Sequence, residues 1–240
     1  MILIEDIEYL HDSTRCRGVL AVDDRWHKER PGVLVVHEAW GLGKHAIDRA
    51  LMLASMGYPA FAADMYGDRK CPSSLAEARV FTSQLRASPR VLRDRARAAL
   101  SVLADRPEVD RSRLAAIGFC FGGTTVLELA RCGEKLAAVA SFHGGLLPVG
   151  EPSSSICPSV MVFVGARDPL GSAEHIGAFE REMEAAGADY QIQIFGNTLH
   201  SFTNPDAGLA GSPKDFQYSP VADRRAWRAV RGFLRESFHK

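Results

Sequence analysis

The chain has 240 residues, 46% of them hydrophobic, and its 29 Lys or Arg residues are balanced by 29 Asp or Glu residues. A chain of this length can bury a large core without disulfide support. Its balanced charge excludes a global attraction to nucleic acid or to an anionic membrane surface.

The first half of the chain alternates short apolar runs with helical periodicity. Strands are predicted at residues 17–22, 32–37 and 59–64, and helices at residues 74–85 and 89–104. A further helix lies between the second and third strands. It places Ile47, Leu51 and Ala54 on one inward face and ends at Gly57, because glycine is a common helix stop.

The second half continues the alternation. Strands are predicted at residues 113–119, 136–143, 159–165 and 190–195, and a helix at residues 122–131. A helix before the last strand turns four apolar residues inward, namely Ile176, Phe179, Met183 and Ala186. The chain ends in an amphipathic helix with an apolar side formed by Ala222, Ala226, Val230 and Phe233.

This order of elements predicts the fold class. Strands that alternate with helices, several of them continuous apolar runs, indicate an α/β protein with a mostly parallel sheet and helices on both faces. The segment 148–158 is loop-like, but it lies between two strands of the same alternation and marks no boundary. We therefore expect a single domain over residues 1–240.

The cysteines and the N-terminal segment bear on location. The five cysteines are odd in number, scattered and without CxxC spacing, which predicts free thiols and neither a disulfide framework nor a metal site. The first ten residues are acidic where a secretion signal needs basic residues, and no apolar run is long enough to span a membrane. We expect a cytoplasmic protein.

A cysteine stands at a strand-to-helix junction, in the stretch "GFCFGG" at residues 118–123. The pattern G-x-C-x-G-G has the outline of a nucleophile elbow with sulfur in place of the usual hydroxyl. The plainer reading makes Cys120 a small buried hydrophobic residue in an ordinary turn. In the elbow interpretation, Gly118 and Gly122 relieve crowding and Gly123 lets the helix approach the sheet.

Three reactive side chains each follow a predicted strand, where open parallel sheets place their sites. They are Cys120, Asp168 and His200, in the chain order nucleophile, acid, histidine that is typical of α/β-hydrolase triads. His200 would take the thiol proton, and Asp168 would orient the imidazole. Oxyanion donors are expected from the backbone N–H of Phe121 and of Ala39, in the loop after the second strand.

The chain resembles the dienelactone hydrolase (carboxymethylenebutenolidase) family of α/β-hydrolases. The resemblance is carried in order by "HEAWGL", "DMYG", "GFCFGG", "GARDP" and "HSFTNPDA". It implies the same triad, a Glu38 that interacts with the resting thiol, and hydrolysis of a small ester or lactone through a cysteine-bound acyl group. No metal or organic cofactor is implied, and the expected partner is a small-molecule substrate rather than nucleic acid or membrane.

One departure from the family concerns the substrate. The family has a carboxylate-binding arginine four residues after the catalytic histidine, and here that position is Asn204. Candidate substrate-binding residues are Trp40, Tyr66, Phe121, His143 and Asn204. Alternatives that remain are a thioesterase, an activated-phosphoester hydrolase, and a non-catalytic or redox-sensing protein on the same fold. We expect a monomer or homodimer.

Overall fold

Eight strands form one sheet in a computed structural model that describes residues 1–151, 156–210 and 214–240. The strand order is β1-β2-β4-β3-β5-β6-β7-β8. Their bounds are β1 Ile2–His11, β2 Thr14–Asp23, β3 Arg30–Val36, β4 Ala60–Ala63, β5 Val109–Phe119, β6 Ala138–Phe142, β7 Ser159–Gly165 and β8 Tyr190–Phe195.

Six α-helices are present among the described residues. They are α1 Lys44–Ser55, α2 Leu75–Arg86, α3 Pro89–Ala104, α4 Phe121–Arg131, α5 Ala173–Ala185 and α6 Pro220–Ser237. A short 3-10 helix spans Ala207–Ala210. None of the described helices is both long enough and apolar enough to cross a membrane.

The sheet is mostly parallel and is covered on both faces. Only β1 with β2 and β2 with β4 pair antiparallel among the described strands. Successive residues of a strand point to opposite faces, so Leu34 and Val36 enter one hydrophobic cluster with α2 to α5, while Val33 and Val35 enter a second with α1 and α6. The predicted α/β class with helices on both faces is confirmed.

Two details differ from the sequence-based expectation. Residues 2–11 form an edge strand that was not predicted, because its exposed acidic and apolar residues obscure the alternation of a half-buried strand. In α1 the inward face is turned: Ala50 and Leu53 are buried, whereas Ile47 and Leu51 are only partly buried. Within the predicted loop at residues 148–158, positions 152–155 lie outside the described residues.

Candidate active site

Cys120 stands in a sharp turn between the end of β5 and the start of α4. Its backbone has φ 52° and ψ −113°, a region that costs a non-glycine residue conformational energy. The Cys120 N–H donates to the carbonyl oxygen of Phe142 at 3.0 Å, which ties the turn to the end of β6. This is the strained geometry of a nucleophile elbow.

The glycines around Cys120 are required by close backbone contacts. A Cβ on Gly122 would lie 2.2 Å from the carbonyl oxygen of Val36, and one on Gly118 would lie 2.0 Å from the carbonyl oxygen of Gly122. A Cβ on Gly123 would lie 2.6 Å from the hydroxyl of Ser141 in β6. Glycine at these positions therefore lets the start of α4 press against the sheet, as the sequence interpretation requires.

The structure brings Asp168 and His200 into direct contact. Asp168 follows β7 and His200 follows β8, and both side chains are buried. His200 Nδ1 donates to Asp168 Oδ2 at 2.7 Å, while the N–H of Leu170 donates to Asp168 Oδ1 at 2.8 Å. Nε2 of His200 is buried and has no hydrogen-bond partner among the described residues, so this nitrogen is available for proton transfer.

The charge of His200 is coupled to Cys120. Burial lowers the pKa of the imidazole, but the negative charge of Cys120 and the hydrogen bond to Asp168 outweigh it and raise the pKa to about 10. A pKa in this range favours the imidazolium form of His200 at neutral pH. The arrangement is able to deliver a nucleophilic sulfur.

The candidate oxyanion donors lie beside the hydrophobic cluster that contains Leu34 and Val36. Phe121 is the first residue of α4, where a backbone N–H has no partner within the helix. Ala39 and Cys120 are partly buried and pack against that cluster. The hydroxyl of Tyr66 donates to the carbonyl oxygen of Ala39 at 3.0 Å, which holds the loop after β3. Burial and, after it, the charge of Cys120 raise the pKa of Tyr66.

The comparisons with known proteins identify the family. The model of the dienelactone hydrolase family matches residues 17–238. The chain belongs to the dienelactone hydrolase family. The chain is 42% identical to a dienelactone hydrolase-like promiscuous phosphotriesterase from metagenomic libraries, with a TM-score of 0.94 and 99% of each chain covered.

Two further relatives extend this picture. A Yersinia pestis protein provisionally named a carboxymethylenebutenolidase is 30% identical over 199 residues, which is 76% of this chain and 72% of the relative. An α/β hydrolase enzyme from a Medee basin deep-sea metagenome has a TM-score of 0.73 at 19% identity and covers 100% of this chain and 99% of its own. This dienelactone hydrolase family member therefore has the α/β-hydrolase fold.

His143 was expected to bind substrate, and in the structure its ring is engaged inside the protein instead. The residue follows β6 and is 1% exposed, and both ring nitrogens are engaged within the protein. Nδ1 accepts from the Cys120 N–H at 3.1 Å, so Nε2 carries the proton and donates to Thr203 Oγ1 at 2.8 Å. Burial and then the neighbouring His200 lower the pKa of His143 well below its usual range, which keeps the ring neutral. Through the hydrogen bond from the Cys120 N–H, the ring of His143 supports the backbone of the nucleophile elbow.

Sequence reasoning missed the side chains behind His143. Thr203 lies in the quoted stretch "HSFTNPDA", but no pattern marked it, and His45 and Arg49 lie in α1. Thr203 Oγ1 is 3.4 Å from His45 Nε2, and Arg49 donates to the carbonyl oxygen of Thr203 and to Asp223 at 2.9 Å. We call His143, Thr203, His45 and Arg49 the Thr203 network.

Glu38 and Asn204 pair with each other. Asn204 Nδ2 donates to Glu38 Oε2 at 2.5 Å, and its Oδ1 accepts from the N–H of Asp206 at 2.9 Å. His45 Nδ1 lies 3.5 Å from the same Glu38 oxygen. The amide expected to bind substrate is thus engaged within the protein, where it donates to the Glu38 carboxylate. The described hydrogen bonds of Glu38 do not include the thiol.

A cavity of about 260 Å³ opens beside this pair. Glu38, Trp40 and Asn204 contribute to its wall, together with Gly41, Gly43, Lys44, His45, Ala46 and Asp206. Trp40 thus lines a cavity as expected, whereas the ring of Phe121 is buried against Tyr66 with 5.7 Å between centroids. Among the described residues no group of three or more His, Cys, Asp or Glu side chains is arranged to hold a metal ion.

Proposed function

We propose that this dienelactone hydrolase family member hydrolyses a small ester or lactone through an acyl group on Cys120. The observation that carries the proposal is the buried Asp168–His200 pair, whose free Nε2 and raised pKa match a base that charges a thiol. The strained turn at Cys120 adds support, because it presents sulfur at the start of a helix.

The proposed reaction has two halves. His200 Nε2 takes the thiol proton, the Cys120 sulfur attacks the carbonyl carbon, and the carbon–oxygen bond to the leaving alcohol breaks as the alcohol takes that proton. Water then attacks the thioester while His200 removes its proton, and the acid leaves as the thiol is restored. Asp168 keeps the imidazole oriented. The N–H groups of Phe121 and Ala39 would stabilise both oxyanions.

A trapping experiment tests the nucleophile. Brief exposure to an activated ester, followed by mass spectrometry, is expected to show an acyl adduct on Cys120 in the wild type. The adduct should be absent from Cys120→Ala and retained in the control Cys71→Ala, because Cys71 is an exposed thiol. Turnover that survives in Cys120→Ala would refute the mechanism. Modification of Cys120 by peroxide but never by esters would favour the redox-sensing alternative instead.

The charge of the preferred substrate follows from the Glu38–Asn204 pair. A neutral amide stands where the family has a carboxylate-binding arginine, and it holds a buried carboxylate beside the cavity. A substrate carboxylate bound here would lack a charge-assisted contact with an arginine, and such a contact contributes about 1.5–3 kcal/mol, or roughly ten- to a hundredfold in binding. We propose a higher kcat/KM for uncharged esters or lactones. A matched substrate pair that differs only in one carboxylate tests this, and a clear preference for the charged member would contradict it.

A second candidate activity is hydrolysis of activated phosphotriesters. It is favoured by the 42% identity over 99% of the chain to the promiscuous phosphotriesterase. The same sulfur would attack phosphorus and expel the best leaving group. Paraoxon turnover by the wild type that disappears in Cys120→Ala would support this activity, and thioesters in the same screen test the thioesterase alternative. A cytoplasmic location and a monomer or homodimer state stay predictions.

A further inference from the structure

A groove with a strongly basic wall runs between α1 and α6, apart from the proposed triad. Its volume is about 940 Å³. Four arginines of α6 line it, namely Arg224, Arg228, Arg231 and Arg235. Their spacing of four, three and four residues places them on one face of the helix, along about 16 Å at 1.5 Å of rise per residue.

These four guanidinium groups are exposed and lack ion-pair partners. None lies within ion-pairing distance of a carboxylate among the described residues. Several surface arginines elsewhere are paired, such as Arg111 with Asp105 at 3.2 Å, and those that are not, such as Arg79 and Arg167, do not line this groove. The carboxylate in the groove wall, Asp223, is buried and already bound to Arg49. A chain with no net charge thus concentrates unneutralised positive charge in one concave place.

Repulsion among the four arginines destabilises α6 itself. Arginines three and four residues apart on a helix repel one another, and α6 places like charges in both spacings along the groove. A carboxylate at any of these positions would relieve the repulsion. Charges that oppose local stability and remain uncompensated are typical of a binding surface.

Apolar and aromatic side chains also line the groove, and we refer to them as its floor. They are Met52 of α1, Met56 at the C-cap of that helix, Tyr58 beyond it, and Trp227 of α6. Burial raises the pKa of Tyr58, and the charges of Arg30, Arg235 and Arg231 oppose that rise. One ligand could therefore contact both an apolar floor and a row of cations.

We propose that this groove binds an organic polyphosphate, meaning a phosphate chain attached to an aromatic or apolar group. A guanidinium group can bind two phosphate oxygens at once, and the four basic residues of α6 that line the groove are all arginine. A row of four of them matches several linked phosphates better than a single anion. The methionine and tyrosine side chains would contact the aromatic group.

Isothermal titration calorimetry with ATP as the probe tests the proposal, with inorganic tripolyphosphate as the comparison. The wild type should bind ATP, and bind it more tightly than tripolyphosphate, because only ATP reaches the floor. Binding should weaken as salt rises. The double variant R228Q/R231Q should bind at least about tenfold more weakly, since two charge-assisted contacts are lost.

The matched control removes the same charge elsewhere. Arg225 lies on α6 but does not line the groove, and Arg90 lies on α3 paired with Asp94 at 3.4 Å. The variant R225Q/R90Q should bind ATP as the wild type does. Equal weakening in both double variants would overturn the proposal in favour of diffuse charge attraction. Absence of ATP binding at low salt, or equal affinity for the two probes, would overturn it as well.

Discussion

Replacing Thr203 with valine tests the support behind the nucleophile elbow. Valine keeps the shape of threonine but removes the hydroxyl that accepts the Nε2–H of His143 at 2.8 Å. His143 is 1% exposed, so water cannot replace the lost acceptor. If the ring keeps its tautomer, Nε2–H is unsatisfied. If the proton moves to Nδ1, the Nδ1–H group faces the Cys120 N–H, which cannot accept a hydrogen bond.

The loss of stability in Thr203→Val has a similar size for both tautomers of His143. Either outcome leaves a buried donor without its partner, which costs about 1–3 kcal/mol of unfolding free energy. In a chain of this size each kcal/mol lowers Tm by about 2–4 °C. The control is Thr82→Val. The Thr82 hydroxyl donates only to carbonyl oxygens of its own helix, at 3.0 and 3.1 Å, so its removal leaves no hydrogen-bond donor without an acceptor. Thr203→Ser should restore most of the loss, since it retains the hydroxyl.

Urea unfolding followed by circular dichroism measures the stability, and the rate of Cys120 alkylation by iodoacetamide measures the elbow. We expect Thr203→Val to lower the unfolding free energy clearly more than Thr82→Val does and to alter the alkylation rate. Equal stability of the two valine variants, together with an unchanged alkylation rate, would refute the role assigned to the Thr203 network.

Three other predictions concern the core, the elbow and the triad. Arg131→Met should lower the unfolding free energy by about 1–3 kcal/mol in urea titrations, because Arg131 is 1% exposed and its loss leaves the buried Glu128 paired with Arg93 alone among the described residues. Gly122→Ala should abolish turnover, since its Cβ would lie 2.2 Å from a backbone oxygen of β3. Gly232→Ala, which has open space in α6, is the control and should leave turnover intact while it stabilises the fold by up to about 1 kcal/mol, as measured by Tm. The pKa of His200 is raised from 6.5 to about 10. The protonated imidazole should therefore contribute fully to the unfolding free energy below pH 6.5, and this contribution should be lost as the pH rises through 10. Unfolding measured as a function of pH should show that this pH dependence disappears in Cys120→Ala.

Much of the fold could be predicted because local patterns and tertiary structure agree. The strands β3, β6 and β7 and the second half of β5 are short buried apolar runs, and α3 buries the face with Leu92 and Ala96 that periodicity indicates. The edge strand β1 escaped prediction for a physical reason. Edge strands expose both faces in part, and here Glu5 and Asp6 stand exposed between apolar residues, so the period of two is hidden.

The triad residues could be proposed from sequence because each stands directly after a strand of a parallel sheet, and such positions converge at one edge. The roles of His143 and Asn204 could not. Both stand where a substrate contact is reasonable, yet their hydrogen-bond partners come from distant parts of the chain, Thr203 and Glu38 respectively. No local pattern reports which partner a buried polar group finds.

A single long-range ion pair accounts for both the turned face of α1 and the Thr203 network. Periodicity places Ile47 inward, but the guanidinium of Arg49 bonds to Asp223 of α6, 174 residues away, and to the backbone of Thr203. A buried arginine needs such partners, so the helix turns to bring Arg49 inward and leaves Ile47 partly exposed. The same turn brings His45, one helical turn before Arg49, to Thr203. The error in the predicted face of α1 and the missed histidine therefore have one cause, which is a charge pair formed only after the sheet brings α1 and α6 together.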